Sequence, residues 1–494
     1  MGEIKFIGYP EATIYKDNPE QTENPKSVKK TLWGDYVEVY NESTADYQKV
    51  RCRSADGWIK KDLLQDDRVL EVNFVDVGQG DGCFIVVPDK DPKKDRFILV
   101  DAGEGNNMAH FLSWRFNFKG NDYVLPIEYM IITHPDADHF KGFDEIVNSD
   151  RYRINKIYHN GIVPRKGADL FGPEKEMNDR TYLSDVCDTQ DKLKSIINDP
   201  QKMDDNDFLV LMKNALSKTD KNDLIETLEY GKDIPDYSVG DLTLKVLGPV
   251  TTKDDGNTKL LPTFGGDGPT KNGNSIVLLL KYKKVRIFLS GDLNKKSQKY
   301  LAEFYLEKAG ITKKDLKKGI ANYLNELREV FEVDITKANH HGSDDYMYEF
   351  LQGVNPLATV ISSGDNETFT HPRPDTLGVI GKTSRSNNPL IFSTELARSA
   401  KEKNFNDQLM ADILKLQTKL DLTADTAAKT KEEIQKKIDK KVAELQRNIA
   451  VYGMITVRTD GERIIIAQKK ERKSSGFQIF KISPDKNGEL AYEP

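Results

Sequence analysis

From Val69 onward, apolar segments recur between glycine-containing turns: VLEVNFVDVG, GCFIVVP, RFILVDAG and IEYMIITH. The pattern resumes at LTLKVLGP (242–249), SIVLLLKY (275–282), VRIFLSGD (285–292), LATVISSG (357–364) and PLIFSTE (389–395). It closes with the pair GMITVRTD and RIIIAQKK around Asp460-Gly461. These runs read as strands, and their alternation with helical stretches predicts an α/β domain of stacked sheets covered by helices. Residues 1–66 differ. There ATIY, DYVEVY, QKVRCR and DGWIKKDLL are short and separated by Asn, Pro, Asp and Gly, which predicts a small all-β barrel ahead of a domain spanning 67–494.

Three stretches interrupt the sheet pattern and read as helical insertions: 169–236, 294–331 and 397–450. In the last, Phe405, Leu409, Ile413, Leu416 and Leu420 follow helical spacing, as do Ile434, Ile438, Val442, Leu445 and Ile449. DLTADTAAKT separates the two sets, so a helical hairpin is expected. Its stripe can pack on its partner helix or on the domain, or can join two copies into a homo-oligomer.

A chain of 494 residues exceeds what one core usually organises. Its three cysteines, Cys52, Cys83 and Cys187, are scattered without a CxxC pair, which argues against a disulfide scaffold or a zinc ribbon. No signal pattern opens the chain and no apolar run approaches a membrane span, so a cytoplasmic protein with no membrane contact is expected. A net charge of −6 weakens a broad nucleic-acid-binding reading, but leaves room for a nuclease with a local basic cleft.

The seven histidines are His110, His134, His139, His159, His340, His341 and His371. Most fall in short segments that follow strands. IITHPDADHFKG presents His134, Asp136, Asp138 and His139 beyond a strand end, where side chains can converge on a cation. VRIFLSGDLN ends on Asp292, and VDITKANHHGSDD supplies His340 and His341. VISSGDNETFTHPRP offers His371, with Arg373 nearby as a phosphate contact. Taken singly, each has a bland reading: a satisfied histidine, or a carboxylate capping the helix near Phe140. Taken together, HxDxDH, GD and HHGS after three different strands point to divalent-metal ligation.

These motifs resemble the metallo-β-lactamase superfamily, and within it the soluble competence-protein branch, the ComEC-type domains. "VNFVDVGQGDGCFIVVP … ILVDAG", "THPDADH.KG", "GNSIVLLLKY … FLSGD", "ANHHGS" and "ISSGDN … HP" occur in that order. The resemblance implies an αββα sandwich carrying two divalent metal ions, zinc or manganese. By that likeness Asp101 orients the metal loop, and His134 with Asp136 hold one ion. Asp138, His139 and His341 hold the other, and Asp292 bridges the two. His340 and His371 would then contact substrate oxygens or protonate a leaving group, with Asp138 among the catalytic set and Arg373 binding substrate. The loop departs from the commoner HxHxDH at Asp136, which implies oxygen-rich ligation at the first ion. His159, in KIYHNG, is the one further histidine that could serve there. The N-terminal segment resembles the bacterial Src-homology-type barrel, with Trp33 and Trp58 packing its core or lining a groove.

The expected activity is hydrolysis of a phosphodiester, with DNA the favoured substrate. Rival readings are hydrolysis of a small ester on the same scaffold, and an interaction protein with a vestigial site. A barrel and a helical arm suit an activity gated by a protein partner, as in an effector of bacterial defence.

Overall fold

The structure is a computed structural model that describes residues 3–53, 55–167, 170–203, 206–232, 234, 242–364, 370–395, 400–424, 427–469 and 476–494, with backbone alone for 400–405 and 452. Parts of the expected 169–236 and 397–450 insertions, and the side chain of Phe405, therefore lie outside the described residues.

Two sheets face each other. The larger has ten strands, and its middle runs Ile225–Thr227, Tyr152–His159, Leu125–Ile131, Arg96–Ala102, Gly82–Val87 and Leu70–Phe74. It continues through Ile455–Thr459, Ile464–Lys469, Phe477–Pro484 and Leu490–Glu493. The smaller sheet has six strands, in the order Leu242–Gly248, Val277–Tyr282, Val285–Leu289, Ile335–Lys337, Ala358–Ile361 and Leu390–Ser393.

The long apolar runs are explained by burial on both faces. Cys83, Ile85, Ile98 and Val100 of the large sheet meet Leu278, Leu280, Ile287 and Val360 of the small one in a shared core. Phe84, Val86, Phe97 and Leu99 point the other way, onto Met108, Phe111, Phe143 and Phe208 of the covering helices. Val277, Leu279 and Phe288 likewise pack under Leu301, Leu327, Phe331 and Phe350. The result is the αββα sandwich.

The 169–236 stretch is not the purely helical insertion expected. Glu174–Met177 and Arg180–Leu183 form a hairpin whose two-residue turn, Asn178-Asp179, has positive φ at both positions, as a tight right-twisting hairpin requires. That hairpin pairs with Lys259–Pro262, while Ile225–Thr227 extends the large sheet. Among the described residues of that stretch, only Gln190–Asn198 and Asp207–Ser217 are helical.

The N-terminal unit is one seven-stranded antiparallel sheet around Ile7, Ile14, Val37, Val50 and Ile59. Trp33 is fully buried, but against Val69, Ile465 and Ala467 of the following domain. Trp58 is half-buried. Arg458 locks this junction: its Nη1 donates to Trp33 O at 2.6 Å and Asp35 Oδ1 at 2.9 Å, and its Nη2 lies 3.3 Å from Glu71.

The hairpin arm consists of helices Ala400–Asp421 and Ala428–Tyr452. Leu409, Ile434 and Ile438 of the predicted stripes are buried, and Lys441 bonds Asp412 across the pair at 2.9 Å. Among the described residues no helix is long and apolar enough to cross a membrane.

Candidate metal centre

The site forms where strands of both sheets end along one edge. Leu125–Ile131 pairs in parallel with Arg96–Ala102 and Tyr152–His159, and Val285–Leu289, Ile335–Lys337 and Ala358–Ile361 are mutually parallel. Parallel pairing brings the loops after Ile131, Leu289, Lys337 and Ile361 together, and these loops carry the chemistry.

Asp101 organises the first loop. Its Oδ1 accepts from Thr133 N at 2.8 Å, and its Oδ2 from Thr133 Oγ1 at 2.7 Å. The same Oδ2 lies 2.8 Å from His139 Nδ1. A carboxylate at that distance holds the proton on Nδ1 and turns Nε2 toward the site, where a cation could displace its proton. His139 Nε2 is buried with no hydrogen-bond partner, 3.3 Å from Asp292 Oδ2 and 4.0 Å from Asp138 Oδ1.

His341 repeats the arrangement from the opposite sheet. Its Nδ1 lies 3.0 Å from Ser362 O and 3.2 Å from Asp81 Oδ1. Its Nε2, also buried and lacking a hydrogen-bond partner, stands 3.1 Å from Asp292 Oδ2 and 3.4 Å from Asp138 Oδ2. Two imidazole Nε2 atoms and two carboxylates thus converge. His134, His139 and Asp292, and equally Asp138, His139 and His341, offer ligand atoms within 4.8 Å of one another. A buried orphaned imidazole nitrogen costs stability unless something satisfies it, and a divalent cation suits this donor set.

Burial opposes ionisation of Asp292, but His341, His139 and Lys337 hold its carboxyl well below the usual carboxylate range. Burial likewise opposes charge on His139 and His341, yet Asp292 is the leading group that raises both imidazoles well above the ordinary value. Such mutual dependence is what a cation-binding cluster shows when its charge balance is carried by protons.

The backbone is shaped around these groups. His340 and His341 are consecutive left-handed residues, at φ +45° and +52°, and the loop continues through Gly342 at +82°. Each non-glycine residue held so costs about 1 to 3 kcal/mol, offset by the surrounding packing. Gly80, at φ +102°, lies so close to the metal loop that a Cβ would sit 1.7 Å from Asp138 O.

Two residues that the sequence did not single out belong here. Asp81, in the GQGDG turn, ion-pairs with Lys337 and approaches His341. Lys337 is buried, donates to Gly291 O at 2.9 Å and lies 3.3 Å from Asp292 Oδ1. A conspicuous GD pair inside a glycine turn, and a lysine three residues before HH, were the available signals.

The remaining expected residues occupy distinct positions. His134 Nε2 is 3.4 Å from Asp136 Oδ2, and its Nδ1 is 3.2 Å from Ser275 Oγ. Asp136 itself is ion-paired with Lys271. His340 lies at the mouth, 28% exposed in its side chain and 3.9 Å from Asp292. The His371 ring is 5.6 Å from that of His340 and 6.4 Å from that of His341. Arg373 donates to Thr370 Oγ1 at 2.9 Å on the rim. His159 stands apart from all the converging donor groups among the described residues. It is buried at the end of its strand, its Nδ1 accepts from Gly161 N at 3.2 Å, and burial holds its pKa at about 4.

Comparison with known proteins agrees with this geometry. The profile of the Metallo-beta-lactamase superfamily matches residues 83–338, more than half of the chain. ComE operon protein 3 of Bacillus subtilis (strain 168) is 22% identical over 332 residues, which cover 64% of this chain and 31% of that protein. The chain therefore spans less than a third of that relative's length.

Proposed function

The chain belongs to the metallo-beta-lactamase superfamily, and from that premise we propose that it is a metal-dependent phosphodiesterase of the ComEC-type branch acting on DNA. Members of the superfamily are generally hydrolases and typically bind divalent metals, usually zinc. The observation that carries the reading is the pair of buried, orphaned Nε2 atoms of His139 and His341, aimed at Asp138 and Asp292. DNA is favoured by the ordered competence-type motifs from VNFVDVGQGDG to HHGS.

Two ions, zinc or manganese, would be held by these residues: Asp138, His139 and His341 would hold one, His134 and Asp136 the other, and Asp292 would serve both. Such ions supply Lewis acidity toward a phosphoryl oxygen and a source of hydroxide near neutral pH. The chain's own residues do the rest. Asp101 keeps His139 in its metal-facing tautomer, and Lys337 offsets the charge of Asp81 and Asp292 behind the site. His340, open to the mouth, or His371 beside it would stabilise or protonate the departing oxygen, and Arg373 would neutralise phosphate charge at the rim. The N-terminal sheet and the helical arm are the surfaces through which a protein partner would gate this activity, as in a defence effector.

The test is incubation of metal-loaded protein with single- and double-stranded DNA, RNA and a generic phosphodiester. DNA cleavage that disappears in the Asp138→Ala/His139→Ala variant supports the reading. Cleavage of the small diester alone, or retained cleavage by the variant, contradicts it.

A further inference from the structure

The donor groups expected to hold the two ions differ in their surroundings. At the second, the imidazole Nε2 atoms of His139 and His341 lack hydrogen-bond partners. At the first, both oxygens of Asp136 are already engaged. Its Oδ1 is ion-paired with the ammonium of Lys271. With the Asn272 carboxamide turned so that its nitrogen faces acceptors, that nitrogen donates to Asp136 Oδ2 at 2.8 Å and to Gly268 O at 3.1 Å. Lys271 and Asn272 are neighbours on the short helix Asp267–Gly273, whose following residues Asn274 and Ser275 are fastened to the core. Asn274 Nδ2 donates to Pro262 O at 2.9 Å, and Ser275 Oγ contacts His134 Nδ1 at 3.2 Å. The same short segment therefore touches both expected ligands of the first ion. The lysine is no free surface chain, for its side chain is only 21% exposed.

We propose that Lys271 guards the first metal position: its ammonium stands against Asp136 in place of a cation, so the protein holds one divalent ion tightly and admits a second only as Lys271 swings away. An ammonium is a unit positive charge with three donors, so it can neutralise Asp136 but cannot accept electron density from the lone pair of His134. The segment is thus a built-in ceiling on occupancy, which makes the second ion dependent on metal supply or on an incoming phosphate that draws Lys271 off. This inference rests on the metal-dependent reading above and adds the order in which the positions fill.

Equilibrium dialysis of chelator-stripped full-length protein against manganese, with spin-coupled paramagnetic resonance as a second readout, tests it. The wild type should bind one ion tightly and a second about ten- to a hundredfold more weakly, the range that neighbouring-group changes produce in metal affinity. Lys271→Met should bring the two affinities together, with a coupled two-manganese signal at concentrations where the wild type shows an isolated ion. Lys271→Arg, which keeps the charge, should retain the gap. Two equally tight ions in the wild type, or a Lys271→Met variant that keeps the wild-type gap between the two affinities, would overturn the inference while leaving the metal-dependent reading intact. No manganese or zinc bound at any concentration would instead remove the reading on which it rests. A melting curve for each variant separates loss of the site from loss of the fold.

Discussion

Replacing Asp101 with asparagine isolates the support beneath the metal-facing imidazole. Asp101 sits at φ +57°, a left-handed conformation that Asn tolerates, and the substitution conserves size. The backbone bond from Thr133 N can persist through the amide oxygen. What changes is the surroundings of Oδ2: the Thr133 hydroxyl can rotate to accept from an amide nitrogen there, but the contact with His139 Nδ1, at 2.8 Å a charge-assisted hydrogen bond in a buried setting, is lost. An amide nitrogen placed there faces Nδ1–H donor to donor. Either His139 turns, or its proton moves to Nε2 and removes the lone pair directed at Asp138 and Asp292. The lost interaction amounts to about 2 kcal/mol, the usual scale for a hydrogen bond to a charged group, which corresponds to roughly thirtyfold weaker metal binding. Competition against a chromogenic zinc chelator measures this directly, with circular dichroism confirming that the variant is folded. An affinity within about threefold of wild type, a difference under ~1 kcal/mol, would refute the assignment of Asp101 as the group that sets the His139 tautomer.

Three further outcomes are expected. His159, held at about 4 by burial against an ordinary value of 6.5, stays neutral in the folded chain while the unfolded chain protonates, so its contribution is complete above pH 6.5 and is lost progressively as pH falls toward 4. That amounts to about 3 kcal/mol, and His159→Asn, which keeps an acceptor for Gly161 N–H, should flatten this part of the stability profile in denaturant titrations; parallel profiles would contradict it. Arg458→Met strands Asp35 and part of the charge of Glu71 at the junction of the N-terminal sheet, which should cost about 3 to 5 kcal/mol, and a combined Asp35→Asn/Glu71→Gln background should recover most of it. Gly80→Ala drives a methyl into the carbonyl of Asp138 and should weaken metal binding more than it lowers the melting temperature.

The fold was legible where apolar runs were long, because strands buried on both faces have no polar alternation to confuse them. Phe477–Pro484 and Leu490–Glu493 escaped notice because their residues are mostly half-exposed, and the run FQIFKISP carries little contrast. The hairpin at 174–183 is equally polar, and its turn is Asn-Asp rather than a glycine signal. In the site, histidine among carboxylates marks 134–139, and a histidine pair before a glycine marks 340–341. Asp81 and Lys337 carry no such mark, because a GD in a turn and a lysine in a strand each have commoner explanations, and only pairing between distant loops distinguishes them. Lys271 lay beyond reach for the same reason: its partner Asp136 is on another element, and no local pattern encodes that meeting. Residue type alone makes His159 a candidate outside the main ligand set, and the chain turns its Nδ1 onto its own backbone.

Zinc K-edge X-ray absorption on the purified, zinc-loaded protein tests the central claim most directly, because it reports the atoms around the ion itself. Nitrogen and oxygen scatterers at about 2.0 to 2.2 Å with an imidazole multiple-scattering pattern, and no sulfur near 2.3 Å, are predicted, and the imidazole signal should diminish in His341→Ala. A sulfur shell, or a spectrum indistinguishable from hydrated zinc, would contradict the account.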